Sequence, residues 1–145
     1  MKVEREITIA APPERVYETV MDPACLERWV TIHKELKESP EGQLRKGSEL
    51  VQCLRIAHQT FTVHWKVVEA DRATRIVWEG RGPLRSKAEV VYEFEAEGDG
   101  TLFGYSNEYK LPLGPLGRAA GAAVRRASER ETGRSIEALK KFLES

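Results

Sequence analysis

The sequence predicts an α+β protein in which one antiparallel sheet is covered by a long C-terminal helix. Three observations support this fold class. A proline-rich segment follows the first alternating run, several alternating runs joined by tight turns fill the middle, and residues 116–143 have helical periodicity. Because the strands follow one another directly, the order favours α+β over repeated βαβ units. The 145 residues are expected to form one domain, residues 1–145.

Composition and charge exclude several classes of protein. Lys plus Arg and Asp plus Glu each number 23, so the formal charge is zero and the basic excess of a nucleic-acid binder is missing. No apolar run approaches the roughly 20 residues of a membrane span. The start, MKVEREITI, has no apolar signal-peptide core. We therefore expect a cytoplasmic protein that does not bind nucleic acid.

The cysteines and histidines do not form a metal-ligand pattern. Cys25 and Cys53 are only two and have no ligand spacing, so we interpret them as small buried hydrophobes. His33, His58 and His64 form no helical His pair. The sequence also lacks a glycine-rich phosphate loop. No metal and no cofactor are expected.

The N-terminal segment reads as a strand that is forced into two short helices. Residues 2–10 alternate between apolar and polar side chains. Pro12 and Pro13 end this strand and suit the first turn of a helix. Asp22–Pro23 repeats the start signal for a second helix of about two turns, which ends at Trp29.

Two hairpins are predicted in the middle of the chain. For residues 50–57 and 60–67 we place the turn at His58–Gln59, although a four-residue loop would keep the same register. For the second hairpin we place the turn at Asp99–Gly100. Between them, Ile76 and Trp78 lie on the buried side of a short strand. The predicted cross-strand partners are Leu50–Val67, Gln52–Trp65, Leu54–Val63, Ile56–Phe61, Phe94–Tyr105, Tyr92–Asn107 and Val90–Tyr109.

The long helix has an apolar stripe of small residues. Its predicted members are Leu116, Ala120, Ala123, Ala127, Ala138 and Phe142, with Val124 and Leu139 flanking. Glu131 and Arg134 fall in the middle of this stripe, where a structural helix would carry Leu or Ile. They either polarise an interior space or form an i, i+3 ion pair at its edge.

One face of the predicted sheet mixes large aromatic side chains with a few polar ones. These residues are Gln52, Trp65, Trp78, Tyr92, Tyr105, Asn107 and Tyr109. Ligand pockets have this mixture of apolar walls and a few placed polar groups. An ordinary packed core is the alternative, because buried Tyr and Trp also fill cores when their polar ends find partners.

Three segments together resemble the START-related SRPBCC helix-grip superfamily, in its polyketide cyclase/dehydrase-like branch. They are ITIAAPPERVYETVMDPACLERW, EGDGTLFGYSNEY and SIEALKKFLES. The resemblance implies a seven-stranded curved antiparallel sheet that grips the C-terminal helix, with two short helices between the first two strands. It also implies a cavity between the sheet and the long helix.

The function that we expect is binding or transport of a hydrophobic small molecule, such as a lipid, polyketide or isoprenoid. Trp29 and Glu131 join the sheet residues above as candidate ligand contacts. Trp29 is interpreted either as a lid at the cavity mouth or as a staple that packs the second helix onto the sheet.

Two other classes of function stay open. A polyketide aromatase/cyclase-type enzyme, which the resemblance allows, would need a general acid or base, for which Tyr105, Tyr109 and Glu131 are the candidates. An interaction or regulatory domain with a vestigial cavity is the other class. A basic cluster on the long helix would suit transient contact with a membrane surface, and we expect a monomer or a homodimer. This cluster consists of Arg118, Arg125, Arg126 and Arg130.

Overall fold

The computed structural model describes residues 2–110 and 115–145, with side chains for 2–110 and 121–145. The side chains of Leu116, Arg118 and Ala120 lie outside the described residues. The elements are β1 (Lys2–Ile9), α1 (Pro13–Val20), α2 (Leu26–Trp29), β2 (His33–Glu38), β3 (Glu49–Ile56), β4 (Gln59–Asp71), β5 (Arg75–Arg81), β6 (Lys87–Glu97), β7 (Gly100–Lys110) and α3 (Pro115–Glu144).

The seven strands form one antiparallel sheet in the order β1-β7-β6-β5-β4-β3-β2. Strand β1 pairs with β7, so the first and last strands of the chain are neighbours in the sheet. Helix α1 packs against β6 and β7, α3 packs against β1, and α2 packs against α3. The predicted fold, a curved seven-stranded sheet with two short helices after the first strand and a long C-terminal helix, is confirmed.

The entry into the short helices follows the proline signals. Pro12 is extended and precedes α1, which starts with Pro13. The side chain of Asp22 accepts a hydrogen bond from the Ala24 amide at 3.0 Å, as an N-cap does. The predicted two-turn second helix is wrong in detail, because a 3-10 turn at Pro23–Cys25 precedes a single α-helical turn.

Both predicted hairpin turns lie one residue too far along the chain. The observed turns are Ala57–His58 and Gly98–Asp99. Ala57 and His58 have φ values of 50° and 64°. Such left-handed turn positions are usually occupied by Asn or Gly, so the sequence does not mark this turn. Each partner therefore moves by two residues, which preserves the buried face. The observed partners are Leu50–Trp65, Gln52–Val63, Leu54–Phe61, Ile56–Gln59, Phe94–Phe103, Tyr92–Tyr105 and Val90–Asn107.

Trp29 lies in the centre of the core. Its indole is 1% exposed. The ring lies edge-on to Tyr92 at 5.9 Å, to Phe103 at 6.4 Å and to Tyr105 at 5.9 Å between centroids. This is the position of a staple that fixes α2 to the sheet, not of a lid at a cavity mouth.

The buried face of α3 differs from the predicted stripe by one residue, or about 100° of rotation. Ala127 is buried as predicted, but Ala123 is exposed and Leu139, predicted to flank the stripe, is 0% exposed. The observed buried residues are Ala127, Ser128, Thr132, Ser135, Ile136, Leu139 and Leu143. Ile136, Leu139 and Leu143 determine which side of α3 faces the core, because they bury more apolar surface than alanines do.

Candidate functional site

A small void lies between the sheet and the middle of α3. Its volume is about 10 Å³, which is room for about one water molecule. The cavity of ligand size that the family resemblance implies is therefore not confirmed. The lining residues are Ile32, Ile56, Tyr105, Asn107, Tyr109, Ser128, Glu131, Thr132 and Ser135. The walls therefore combine two aliphatic side chains with a concentration of hydroxyl, amide and carboxylate groups.

Asn107 is the buried polar residue that defines the sheet side of the void. Its amide nitrogen Nδ2 donates a hydrogen bond to Thr132 Oγ1 at 2.8 Å. Its carbonyl oxygen Oδ1 is buried and has no hydrogen-bond partner among the residues that the structure describes. A buried acceptor without a donor costs about 1–3 kcal/mol. A donor group placed in the void would remove this cost.

The helix side of the void consists of hydroxyl groups. Ser128, Thr132 and Ser135 are all buried. Ser135 Oγ accepts a hydrogen bond from the Thr31 amide at 3.0 Å, and the Thr31 hydroxyl donates to the Glu131 carbonyl at 3.2 Å. These bonds connect the segment between α2 and β2 to α3, so they hold one edge of the void in place.

Glu131 lies at the rim of the void, not in its interior. Its side chain is 16% exposed and accepts from Arg134 at 3.1 Å and from Arg130 at 3.4 Å. Burial raises the pKa of Glu131, but the Thr31 hydrogen bond and the two guanidinium groups outweigh it and lower the pKa overall. Arg134, whose side chain is 66% exposed, points to solvent. The inward placement of Arg134 is wrong, Glu131 lines the void from its rim, and the alternative of an i, i+3 ion pair at the edge is confirmed.

The tyrosines near the void are neutral groups. Burial raises the pKa of Tyr92 and of Tyr105 well above the ordinary value. Burial also raises the pKa of Tyr109, against a smaller opposite effect of its hydrogen bond with Ser128. At neutral pH these phenols therefore act as hydrogen-bonding groups, and proton transfer from them is unfavourable.

Gln52 belongs to a separate hydrogen-bonded chain. Trp65 Nε1 donates to Gln52 Oε1 at 2.9 Å, so Gln52 Nε2 faces His33 Nδ1 at 2.7 Å and donates to it. The imidazole is therefore neutral with its proton on Nε2. Burial, opposed by the charge of Glu27, lowers the pKa of His33. Gln52 and Trp65 are thus paired with each other and do not line the void.

The structure divides the predicted site residues into two groups. Four of them line the void: Tyr105, Asn107, Tyr109 and Glu131. The others lie in the core outside it: Trp29, Gln52, Trp65, Trp78 and Tyr92. The sequence reasoning missed the helix hydroxyls. Ser128, Thr132 and Ser135 have the spacing i, i+4, i+7 of one helical face, and this pattern was available in the sequence.

Within residues 2–110 and 115–145, no cluster of three or more His, Cys, Asp or Glu side chains could hold a metal ion. None of the helices in the same ranges is long and apolar enough to cross a membrane. Cys53 is buried, whereas Cys25 is partly exposed with its sulfur 3.5 Å from the Asp22 carboxylate.

Comparison with known proteins identifies the family. The sequence profile of the family described as "Polyketide cyclase / dehydrase and lipid transport" matches residues 1–144. The chain belongs to this family. Its sheet, short helices and long C-terminal helix are therefore those of an SRPBCC helix-grip protein.

Individual relatives are distant in sequence. Toxin Rv0910 of Mycobacterium tuberculosis is 22% identical over 126 residues, which cover 86% of this chain and 88% of that protein. The Zhui aromatase/cyclase of Streptomyces sp. R1128 is 15% identical, with a TM-score of 0.83 over 99% of this chain and 93% of that one. A START superfamily protein of Mycobacterium smegmatis is 21% identical, with a TM-score of 0.75 over 99% and 97%. At these identities the structural likeness establishes the fold alone.

For this family member, the geometry favours recognition of a polar group on a ligand. The void combines one unpaired acceptor with several hydroxyl groups, and its carboxylate is held as an anion by two arginines. This arrangement can bind a hydroxyl or another donor. The pKa of Glu131 is lowered and the pKa values of Tyr105 and Tyr109 are raised, so none of these three is shifted toward neutral pH, where general acids and bases work best.

Proposed function

We propose that the protein binds a hydrophobic small molecule that carries a hydroxyl group, in the space between the sheet and α3. Lipids, polyketides and isoprenoids all provide such molecules. The observation that supports the proposal is the buried carbonyl oxygen of Asn107, a residue of the void, for which the described part of the chain provides no hydrogen-bond donor. A ligand hydroxyl that donates to this oxygen would be preferred over a ligand without one.

The space must open before such a ligand can enter, since a void of about 10 Å³ holds no organic molecule. The region of α3 next to the void is suited to this opening. Among residues 121–126 no side chain is buried, whereas the C-terminal half of α3 is anchored in the core by Leu139 and Leu143. These turns precede Ser128, the first helix residue that lines the void, so their outward movement would open a way to the void from that end of α3 without breaking the core.

Ile32 and Ile56 provide the apolar side of the enlarged site. Removal of apolar ligand surface from water contributes about 25 cal/mol per Å². A lipid-sized molecule therefore gains most of its affinity from burial, and the Asn107 oxygen selects among apolar molecules. Affinity and selectivity thus come from different parts of the site.

Ligand extraction and displacement test this proposal. The purified protein is extracted with organic solvent for mass spectrometry, and a bound fluorescent fatty-acid probe is displaced with fatty alcohols, sterols and isoprenoid alcohols. We expect a co-purifying or displacing hydroxylated compound for the wild type and at least about tenfold weaker binding for Asn107→Leu. Ser106→Ala, on the other face of β7, is the matched control and should bind as the wild type does.

The absence of any extracted ligand and of any displacement would contradict the proposal. Equal binding of hydroxylated compounds by the wild type and by Asn107→Leu would contradict the role of Asn107.

A cyclase-type enzyme is the second candidate function, because Tyr105, Tyr109 and Glu131 line the same void. The pKa of Glu131 is lowered and those of the tyrosines are raised, so these groups are poor proton donors and acceptors at neutral pH. Turnover of an aromatic polyketide precursor by the wild type, with loss in Glu131→Gln or Tyr105→Phe, would establish this function. Unchanged turnover in both variants would remove these residues from catalysis.

We also propose transient contact between the outer side of α3 and anionic membranes. Arg125, Arg126, Arg130 and Arg134 are exposed on this helix, and Arg126 has no ion-pair partner within the described ranges. Each basic residue near an anionic surface contributes about 1 kcal/mol. Flotation should recover the protein with vesicles that contain phosphatidylserine and not with phosphatidylcholine alone. Recovery with neither would contradict this contact.

A further inference from the structure

The outer face of the sheet, opposite α1 and α3, carries two rows of charge at one end of β5, β6 and β7. The acidic row consists of Glu79, Glu89 and Glu108, and the basic row consists of Arg81, Lys87 and Lys110. On each strand the acid and the base are two residues apart. Both side chains therefore point to the same face of the sheet.

The strand register places like charges directly opposite one another. In the acidic row, Glu89 is the partner of Glu79 on one side and of Glu108 on the other. Lys87 has the same central place in the basic row. Like charges in this position destabilise a sheet, and an exchange of the two charges on β6 would have made every neighbour favourable. Within the described residues the register compensates the acidic row only at its two ends, where Lys66 is the partner of Glu79 and Lys2 is the partner of Glu108.

These charges have no ion-pair partners among the described residues, where the salt bridges all involve other groups. All six side chains line a groove of about 560 Å³ on the outer face. The groove therefore presents two rows of opposite sign, side by side, whose charges form no ion pair among the described residues, although Lys66 and Lys2 flank the two ends of the acidic row.

We infer that the outer face binds a second copy of this chain through the acidic and basic rows. A two-fold axis parallel to the rows and midway between them places the acidic row of one copy against the basic row of the other. Each carboxylate then meets the cation from the same strand of the other copy. Such a self-complementary patch is what an isologous dimer requires.

Because the acidic row lies beside the basic row, the outer face favours a second copy of the chain over an anionic partner. A nucleic acid or an anionic membrane would be attracted by the basic row and repelled by the acidic row beside it. A second copy neutralises both rows at once. The void near Asn107 lies on the opposite face of the sheet, so this inference does not depend on the proposed ligand.

Sedimentation equilibrium of the wild-type protein is the first test. We expect a concentration-dependent monomer–dimer equilibrium at low ionic strength. In about 1 M salt, where the screening length is about 3 Å, the dissociation constant should rise at least about tenfold. A monomer under all conditions, or a dimer that salt does not weaken, would overturn the inference.

Charge-reversal variants test which surface is used. Arg81→Glu with Lys87→Glu, and Glu79→Lys with Glu89→Lys, should each be monomeric, and an equimolar mixture of the two variants should form a heterodimer. Lys37→Glu with Lys141→Glu changes the net charge equally on exposed sites elsewhere and should dimerise as the wild type does. Thermal unfolding confirms that each variant is folded. Failure of folded, mixed variants to associate would contradict the inference.

Discussion

The two parts of helix α3 differ in how they meet the rest of the protein. In residues 121–126 the side chains are exposed or half-buried, and half of these residues are Gly or Ala. In residues 127–143 every turn contributes buried residues, ending with Leu139 and Leu143. The difference indicates that residues 127–143 both anchor the fold and line the candidate site, whereas the turns before them have little packing energy to hold them in place.

The largest expected effect comes from removing the anchor. Leu139→Ala should lower the free energy of unfolding by about 2–5 kcal/mol, because a fully buried leucine leaves a cavity. The reverse change in the weakly packed part, Ala123→Leu, should alter it by no more than about 0.5 kcal/mol. Urea denaturation of both variants measures this contrast. Equal losses would show that the two parts are packed alike.

In the absence of ligand, substitution of Asn107 in the candidate site should have only a modest effect on the free energy of unfolding. Asn107→Leu loses the bond to Thr132 but also removes an unpaired buried acceptor, so the free energy of unfolding should change by no more than about 1.5 kcal/mol. Urea denaturation of the variant without added ligand measures this value. A larger loss, comparable with that of Leu139→Ala, would show that Asn107 serves the fold and not ligand binding.

These contrasts also explain what the sequence could predict. The period of two in the strands gave the correct buried face for Gln52, Trp78 and Tyr92, because an error of two residues in register does not change the face. The turn positions were not predictable from Ala57 and His58, because neither residue signals a left-handed backbone. Their geometry is imposed by the pairing of the strands that they connect.

The helix rotation was the harder problem. A stripe of alanines has a weak hydrophobic signal, so it could not fix the buried side of α3. Glu131 and Arg134 were placed inward on that basis, whereas the structure has them as an ion pair at the rim. Ser128 and Thr132 were missed because buried hydroxyl groups look like surface residues until their hydrogen-bond partners are known.

A pH-dependent effect on stability is expected from His33, in the hydrogen-bonded chain that lies apart from the void. The pKa of His33 is lowered in the folded protein, whereas in the unfolded chain His33 has the ordinary histidine pKa of about 6.5. As the pH falls below that value, the unfolded chain therefore binds more protons than the folded protein does. The contribution of neutral His33 to the free energy of unfolding should be complete above about pH 6.5 and should be lost as the pH falls from there through the lowered pKa of the folded protein. Urea titrations between about pH 5 and 8 measure this, and His33→Asn, which keeps a hydrogen-bond acceptor for Gln52 but cannot titrate, should show less dependence. Identical pH profiles would contradict the assignment.

The smallest effect is expected at the rim. Glu131→Gln removes an ion pair whose arginine partners are largely exposed, so the free energy of unfolding should fall by no more than about 1 kcal/mol. Thermal unfolding at low and high salt measures it, with Glu129→Gln as a control for a solvent-facing pair with Arg125. A much larger loss at Glu131 alone would place its carboxylate in the core.

The most direct test of the central claim compares ligands that differ in one hydroxyl group. Displacement of a fluorescent probe is measured with a fatty alcohol and its alkane, an isoprenoid alcohol and its hydrocarbon, and a sterol and its deoxy analogue. The account predicts that the hydroxylated member of at least one pair binds the wild type about tenfold or more tightly, and that Asn107→Leu loses this preference. No binding by any compound, equal binding within every pair, or a preference that survives in Asn107→Leu would contradict it.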